Sequence, residues 1–162
     1  MANTINWGKI YCYMSTNDSW GDVVNKRTIQ NVAAPECLVE QVNCGAASSF
    51  SGGQQFPTYL NINLGTGTGV VTLDFDAIGI PDKFEVWFDG NLVIDTGYRG
   101  SSFRQAGLDA ALAERGLPSE TIIEPPAGTA TFNKTTATST AQIRVYAPMQ
   151  NTGWDIELSC PI

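Results

Sequence analysis

The sequence predicts an all-β fold, a jelly-roll-like β-sandwich of about seven strands carrying one short inserted helix and preceded by an N-terminal arm. Three observations lead there. Apolar and polar residues alternate with period two from Thr58 to Cys160, turn-forming Gly, Pro and Asp cut that alternation into short segments, and charged residues make up only 15% of the 162-residue chain. A sequence with 43% hydrophobic residues and little charge buries enough apolar surface to fold, and its 16 glycines and 8 prolines favour turns over long helices.

The strands follow in order. Leu60, Ile62 and Leu64 alternate with Tyr59, Asn61 and Asn63 between Thr58 and Leu64, and Gly65-Thr66-Gly67-Thr68-Gly69 makes a turn. Val71, Leu73, Phe75 and Ala77 share the inward face of the next strand, with Thr72, Asp74 and Asp76 opposite. Ile80-Pro81-Asp82 reads as a turn because proline presets φ, and Phe84, Val86 and Phe88 then point inward. Asp89-Gly90 is a hairpin signal, since such turns need positive φ.

After Ile94 the period changes. Ser102-Phe103-Arg104-Gln105 has capping-box spacing, Leu108, Ala111 and Leu112 recur at helical spacing, and Gly116-Leu117-Pro118 stops the element, which predicts a helix near residues 103–115. Three closing strands are marked by Ala130 and Phe132, by Ala141, Ile143, Val145 and Ala147, and by Trp154, Ile156 and Leu158.

Residues 1–43 lack that regular alternation and read as an arm with short strands expected around Ile5–Tyr11 and at Cys37–Val42 after Pro35, with residues 44–162 forming the sandwich. The arm holds Trp7, Tyr11, Tyr13, Met14 and Trp20 without a helical stripe of its own. Rings of that size must be buried somewhere, on their own domain or on a neighbouring subunit. In the second case the arm is an attachment element and the chain a homo-oligomer.

Charge and composition exclude several function classes. The net charge is −7 and the nine basic residues are scattered, so no stripe is available to displace counterions from nucleic-acid phosphates. The absence of histidine removes Ser-His-Asp and Cys-His nucleophile systems and His-containing zinc sites. No cofactor is expected. The first residues show neither the charged nor the apolar part of a secretion signal, and no apolar run approaches the roughly 20 residues of a membrane span. The expectation is a chain made in the cytosol, without membrane insertion.

Four cysteines, Cys12, Cys37, Cys44 and Cys160, match no zinc or CxxC spacing. They read as buried thiols or as two disulfides, for which Cys44 with Cys160 and Cys12 with Cys37 is the attractive pairing. Without a secretion signal, reduced thiols are favoured unless the protein ends outside the cell.

Ordered motifs add a resemblance. Gly67-Thr68-Gly69-Val70-Val71-Thr72-Leu73-Asp74-Phe75-Asp76, Ile80-Pro81-Asp82-Lys83-Phe84, Val93-Ile94-Asp95-Thr96-Gly97-Tyr98-Arg99-Gly100, Tyr146-Ala147-Pro148 and Trp154 through Cys160-Pro161 together resemble a small β-module of tailed-bacteriophage virion proteins. The opening Ile5-Asn6-Trp7-Gly8-Lys9-Ile10-Tyr11 is similar to the starts of such proteins. The resemblance implies a non-enzymatic component of the virion surface, a tail or fibre appendage or receptor-binding module ahead of a head decoration protein. It would meet other virion proteins through the arm and touch a glycan or protein of the host surface.

Three sites are weighed against plainer roles. Val93-Ile94-Asp95-Thr96-Gly97 has the pattern of a retroviral-type aspartic protease, in which Asp95 from two copies would share a proton. Tyr98 stands where that family has a small residue, so Asp95 and Thr96 bonding backbone amides while Gly97 turns the chain is preferred. Asp74 and Asp76, with Asp82, Asp89 and Asp95, are calcium candidates, but Asp82 and Asp89 read as solvated turn residues and no DxDxDG loop is present. Trp87 falls on the face opposite Phe84, Val86 and Phe88, near Arg144 or Tyr146. There it either stacks on a sugar ring or a subunit, or lies under the helix.

Overall fold

A computed structural model describes residues 41–51 and 53–162 of the chain. The arm residues Trp7, Tyr11, Tyr13 and Trp20, and Cys12 and Cys37, lie outside the described residues. Gln41–Ile162 form one compact unit.

Period-two alternation makes strands where one face must be buried, and the described residues hold nine: β1 (Gln41–Asn43), β2 (Ala47–Ser51), β3 (Gln55–Asn63), β4 (Gly69–Asp76), β5 (Asp82–Phe88), β6 (Asn91–Arg99), β7 (Ala127–Lys134), β8 (Thr140–Ala147) and β9 (Gly153–Leu158). They form a five-stranded sheet, β1-β3-β8-β5-β6, and a four-stranded sheet, β2-β9-β4-β7. From β2 onward each connection crosses from one sheet to the other, except the β5–β6 hairpin. That is the jelly-roll order of a β-sandwich.

Seven strands, β3 to β9, match the segments read from the sequence; β1 overlaps the end of the strand expected at Cys37–Val42, whose residues 37–40 lie outside the described residues, and β2 is additional. Neither carries an alternating apolar signal. β2 is the edge sequence ASSFS, and β1 is three residues long with Gln41 and Asn43 exposed. Residues 41–43 fall within the expected arm, yet as β1 they pair in parallel with Asn61–Asn63 of β3 and belong to the sandwich.

The two sheets close on a core of Leu60, Ile62, Val71, Leu73, Phe75, Phe84, Val86, Phe88, Phe132, Ile143, Val145, Trp154, Ile156 and Leu158. Aromatic rings bridge the layers: Phe75 and Phe84 lie 5.7 Å apart, Phe84 and Trp154 6.4 Å, and Phe88 and Phe132 5.6 Å. Such contacts add to the area each ring removes from water. Asp89 and Gly90 turn β5 into β6 with φ of 49° and 75°, the positive values their hairpin requires.

The inserted helix follows a 3-10 turn at Ser102–Arg104 and runs as α1 over Gln105–Ala113. The expected capping box does not form. The 3-10 turn takes Ser102 away from the helix start, where its backbone N–H donates to Glu124 Oε1 at 2.7 Å. The Gln105 side chain instead staples the 120–122 segment. Its Nε2 donates to Glu120 O at 2.9 Å and its Oε1 accepts from Ile122 N at 2.9 Å. The stop is as read: Gly116 has φ of 69°, and Leu117 N donates to Leu112 O and Gly116 N to Ala113 O.

Leu108 and Leu112 of α1 pack with Tyr98 and Ile122, and against Phe56, Tyr146 and Met149. This second cluster covers part of the outer face of the five-stranded sheet. Trp87 is not part of it, which removes burial under the helix as its role.

A disulfide joins Cys44 to Cys160 across a sequence separation of 116 residues, in place of the favoured reduced thiols. Gly45 N donates to Leu158 O and Cys44 N to Asn63 O, so both cysteines are held where one sheet meets the other.

Candidate functional site

Antiparallel pairing places residues from separate strands side by side, and on the outer face of the five-stranded sheet it builds a grid. Arg144 of β8 stands between Tyr59 of β3 and Glu85 of β5. One step along, Gln142 stands between Asn61 and Trp87. On the other side of Arg144, Tyr146 faces Lys83. Alternation put each side chain outward; strand order brought them together.

Tyr59 is 48% exposed, while Asn61, Trp87, Gln142 and Arg144 are half-buried. The Arg144 guanidinium carbon lies 4.2 Å from the Trp87 ring centroid and 5.8 Å from that of Tyr59. Its Nε donates to Gln142 Oε1 at 2.9 Å. A cation stacked on an aromatic face keeps the nitrogens at its edge for in-plane bonds.

Glu85 fixes the rest of the patch. Its Oε2 accepts from Trp87 Nε1 at 2.9 Å and from the Tyr146 hydroxyl at 3.1 Å, and its Oε1 lies 3.8 Å from Lys83 Nζ. Lys83 in turn donates to Glu120 at 3.1 Å. Burial first, and then the neighbouring Glu85 charge, raise the Tyr146 hydroxyl above its ordinary pKa. The phenol therefore stays a proton donor near neutral pH.

The grid is a pre-formed, partly desolvated surface with rings for stacking and planar polar groups for directed hydrogen bonds. Of its members, the sequence had singled out Trp87 and its neighbours Arg144 and Tyr146. Glu85 flanks Trp87 in the sequence, whereas Tyr59, Asn61 and Gln142 carry only an outward position in the alternation.

Asp95 is elsewhere and in another role. It is exposed on β6, and its Oδ1 accepts from Gly97 N at 2.9 Å. Thr96 Oγ1 accepts from Phe84 N at 3.0 Å and donates to Gly97 O at 2.8 Å. Gly97 has φ of 63°, and a Cβ there would come within 2.8 Å of Ile123 Cδ1. The three residues thus form a bulge that lets β6 turn while staying paired with β5.

Asp74 and Asp76 do not converge with the other aspartates. Asp74 faces Glu157 and Thr129, Asp76 faces Asp155 and Ala127, and Asp76 Oδ1 accepts from Ile78 N at 2.7 Å. Among the described residues no three His, Cys, Asp or Glu side chains are grouped to hold a metal. Asp89 does occupy a turn, where its Oδ2 accepts from the Thr136 hydroxyl at 2.6 Å and its pKa is lowered, chiefly by that bond.

Asp82 is not the solvated turn residue it was read to be. It opens β5 with the same parity as Phe84, points inward and is fully buried, with the Thr152 hydroxyl 2.8 and 2.6 Å from its two carboxylate oxygens. Burial raises its pKa to about 8 against the opposing effect of the Thr152 bond.

No protein-family model matches the chain and no curated protein matches it. Among solved structures it is similar to the pre-peptidase C-terminal domain of collagenase from Bacillus anthracis, with a TM-score of 0.46 and 10% identity over 74% of this chain and 92% of that one. It is likewise similar to CorA, a surface-associated copper-binding protein of Methylomicrobium album BG8, with a TM-score of 0.47 and 11% identity over 76% and 98% of the two chains. A third similar structure is CsCBM6-3 from Clostridium stercorarium in complex with cellobiose, with a TM-score of 0.34 and 13% identity over 74% and 97%. The chain itself is a β-sandwich of jelly-roll order.

Proposed function

We propose that this protein is a non-enzymatic binding module that recognises a glycan through the outer face of its five-stranded sheet, serving on the surface of a phage virion. The observation that carries the recognition half is the row of Tyr59, Arg144 and Trp87 beside Asn61 and Gln142. A sugar ring offers an apolar face of C–H groups and a rim of hydroxyls. Tyr59 supplies an accessible ring for the first, and the amides and the guanidinium supply donors and acceptors for the second.

The virion setting rests on the ordered motifs from Gly67 to Pro161 and on the opening Ile5–Tyr11 segment. A tail or fibre position fits a module whose five-stranded sheet presents this grid to a ligand on the host, and a head decoration protein is the alternative within that setting. Fold alone assigns no function, so the argument rests on the face.

The experiment is a glycan array probed with the full chain and with Tyr59→Ala. Tyr59 is too exposed to support the core, so the variant folds with an unchanged melting temperature. Saccharide binding that the variant loses supports the reading. An array on which the parent chain binds nothing refutes it.

A further inference from the structure

We propose that the ligand of this face is an acidic glycan, a saccharide whose ring carboxylate is held by the guanidinium of Arg144. The inference rests on the glycan reading above and deepens it.

The argument begins with how charge is distributed over the grid. The two cations of the patch are treated differently. Lys83 lies within reach of two carboxylates, Glu120 at 3.1 Å and Glu85 at 3.8 Å. Among the described residues, no carboxylate lies within ion-pair distance of Arg144. Glu85 is its cross-strand neighbour, yet Glu85 Oε2 is taken by Trp87 Nε1 and the Tyr146 hydroxyl, and Oε1 faces Lys83.

Arg144 is also held in place rather than left to wander. Trp87 lies against it at 4.2 Å, Tyr59 flanks it at 5.8 Å, and Gln142 takes its Nε proton at 2.9 Å. Stacking uses the faces of the guanidinium, the Gln142 bond uses Nε and one terminal N–H meets the Tyr146 hydroxyl, which leaves the remaining terminal N–H groups in the guanidinium plane. Their fork matches a carboxylate in bidentate fashion, and little side-chain entropy remains to be lost on binding.

The position of the fork sets the class of ligand. A carboxylate on Arg144 places the ring that carries it beside Tyr59, with Asn61 and Gln142 one step along the strands for its hydroxyls. A free small anion would use the fork and ignore the ring. A uronate or sialate uses both. The chain carries a net charge of −7, so long-range attraction does not bring such a ligand in, and selectivity comes from this short-range pair.

The test is calorimetric titration of the full chain with two matched pairs: tetragalacturonate against its methyl ester, and sialyllactose against lactose. In at least one pair the acidic member binds about tenfold tighter or more, Arg144→Gln abolishes that gap, and Arg144→Lys keeps part of it. Both variants are first shown to melt with the parent chain, and Arg144→Lys serves alone should Arg144→Gln not fold. Acidic and neutral members binding equally, or a gap that survives Arg144→Gln, overturns the inference and leaves the glycan reading standing. Binding of no saccharide in any pair or on the array overturns both.

Discussion

The hydroxyl of Thr152 lies 2.8 and 2.6 Å from the two carboxylate oxygens of Asp82, and both residues are buried at the start of β5 and in the turn between β8 and β9. With a pKa of about 8, Asp82 is protonated in the folded protein at neutral pH, while in the unfolded chain it ionises near 3.8. Between those values the folded state holds the extra proton. The contribution of Asp82 to stability is therefore fully present below pH 3.8 and is lost as pH rises to about 8, by at most about 1.4 kcal/mol per pH unit. Asp89, Asp109 and Glu124 have lowered pKa values and act in the opposite direction, in the acid range below their ordinary values. Urea unfolding from pH 4.5 to 8.5 should show falling stability, and Asp82→Asn, which keeps a partner for Thr152 and has no proton to lose, should flatten the profile. A parent profile that is flat or rises over that range refutes the assignment.

The disulfide between Cys44 and Cys160 closes a loop that spans nearly the whole sandwich, with a sequence separation of 116 residues. Restricting the unfolded chain over such a loop is worth about 4–5 kcal/mol in the loop-entropy account. Chemical unfolding with and without reductant measures this directly, and Cys160→Ser should reproduce the reduced midpoint. Equal midpoints in the two conditions would show that the bond adds no stability.

Alternation was enough to locate the core, because Phe84, Val86 and Phe88, like Val71, Leu73 and Phe75, sit at every second position of strands whose other face is wet. The same parity reaches back from Phe84 to Asp82. Pro81-Asp82 chemistry suggested a turn instead, and the inward carboxyl went unread. The grid of Tyr59, Arg144 and Trp87 was hidden for a different reason: each residue is visibly outward in its own strand, but the order β3-β8-β5 that sets them side by side depends on long-range pairing. β1 and β2 carry no hydrophobic periodicity, since one is three residues long and the other is a serine-rich edge with one large apolar residue.

Lys134 gives a third test. It is fully buried at the end of β7, where its Nζ donates to the carbonyls of Gly67 and Thr136 and lies 5.7 Å from the Phe88 ring. It thereby ties the glycine-rich turn before β4 to the loop after β7. Lys134→Met keeps the apolar stem but leaves both carbonyls without their donor, a loss of about 1–3 kcal/mol for each that water does not reach. Thermal unfolding should show the drop, and native-state hydrogen exchange should show faster opening around residues 65–69. A variant as stable as the parent would place Lys134 among the replaceable residues.

The Asp95-Thr96-Gly97 bulge yields the last prediction because its two readings diverge under one substitution. Asn at position 95 still offers an oxygen to Gly97 N, so Asp95→Asn should leave the melting temperature and saccharide binding unchanged. Gly97→Ala should be the damaging change, since it meets both the positive φ and the 2.8 Å approach to Ile123 Cδ1, at a cost of about 1–3 kcal/mol. A homodimeric aspartic protease would reverse that order: Asp95→Asn would abolish a pepstatin-sensitive cleavage while leaving the fold intact. Incubating parent and variant with a denatured protein substrate at acid and neutral pH decides between them. Cleavage by the parent that Asp95→Asn removes would make the bulge a catalytic loop and overturn the binding-module reading.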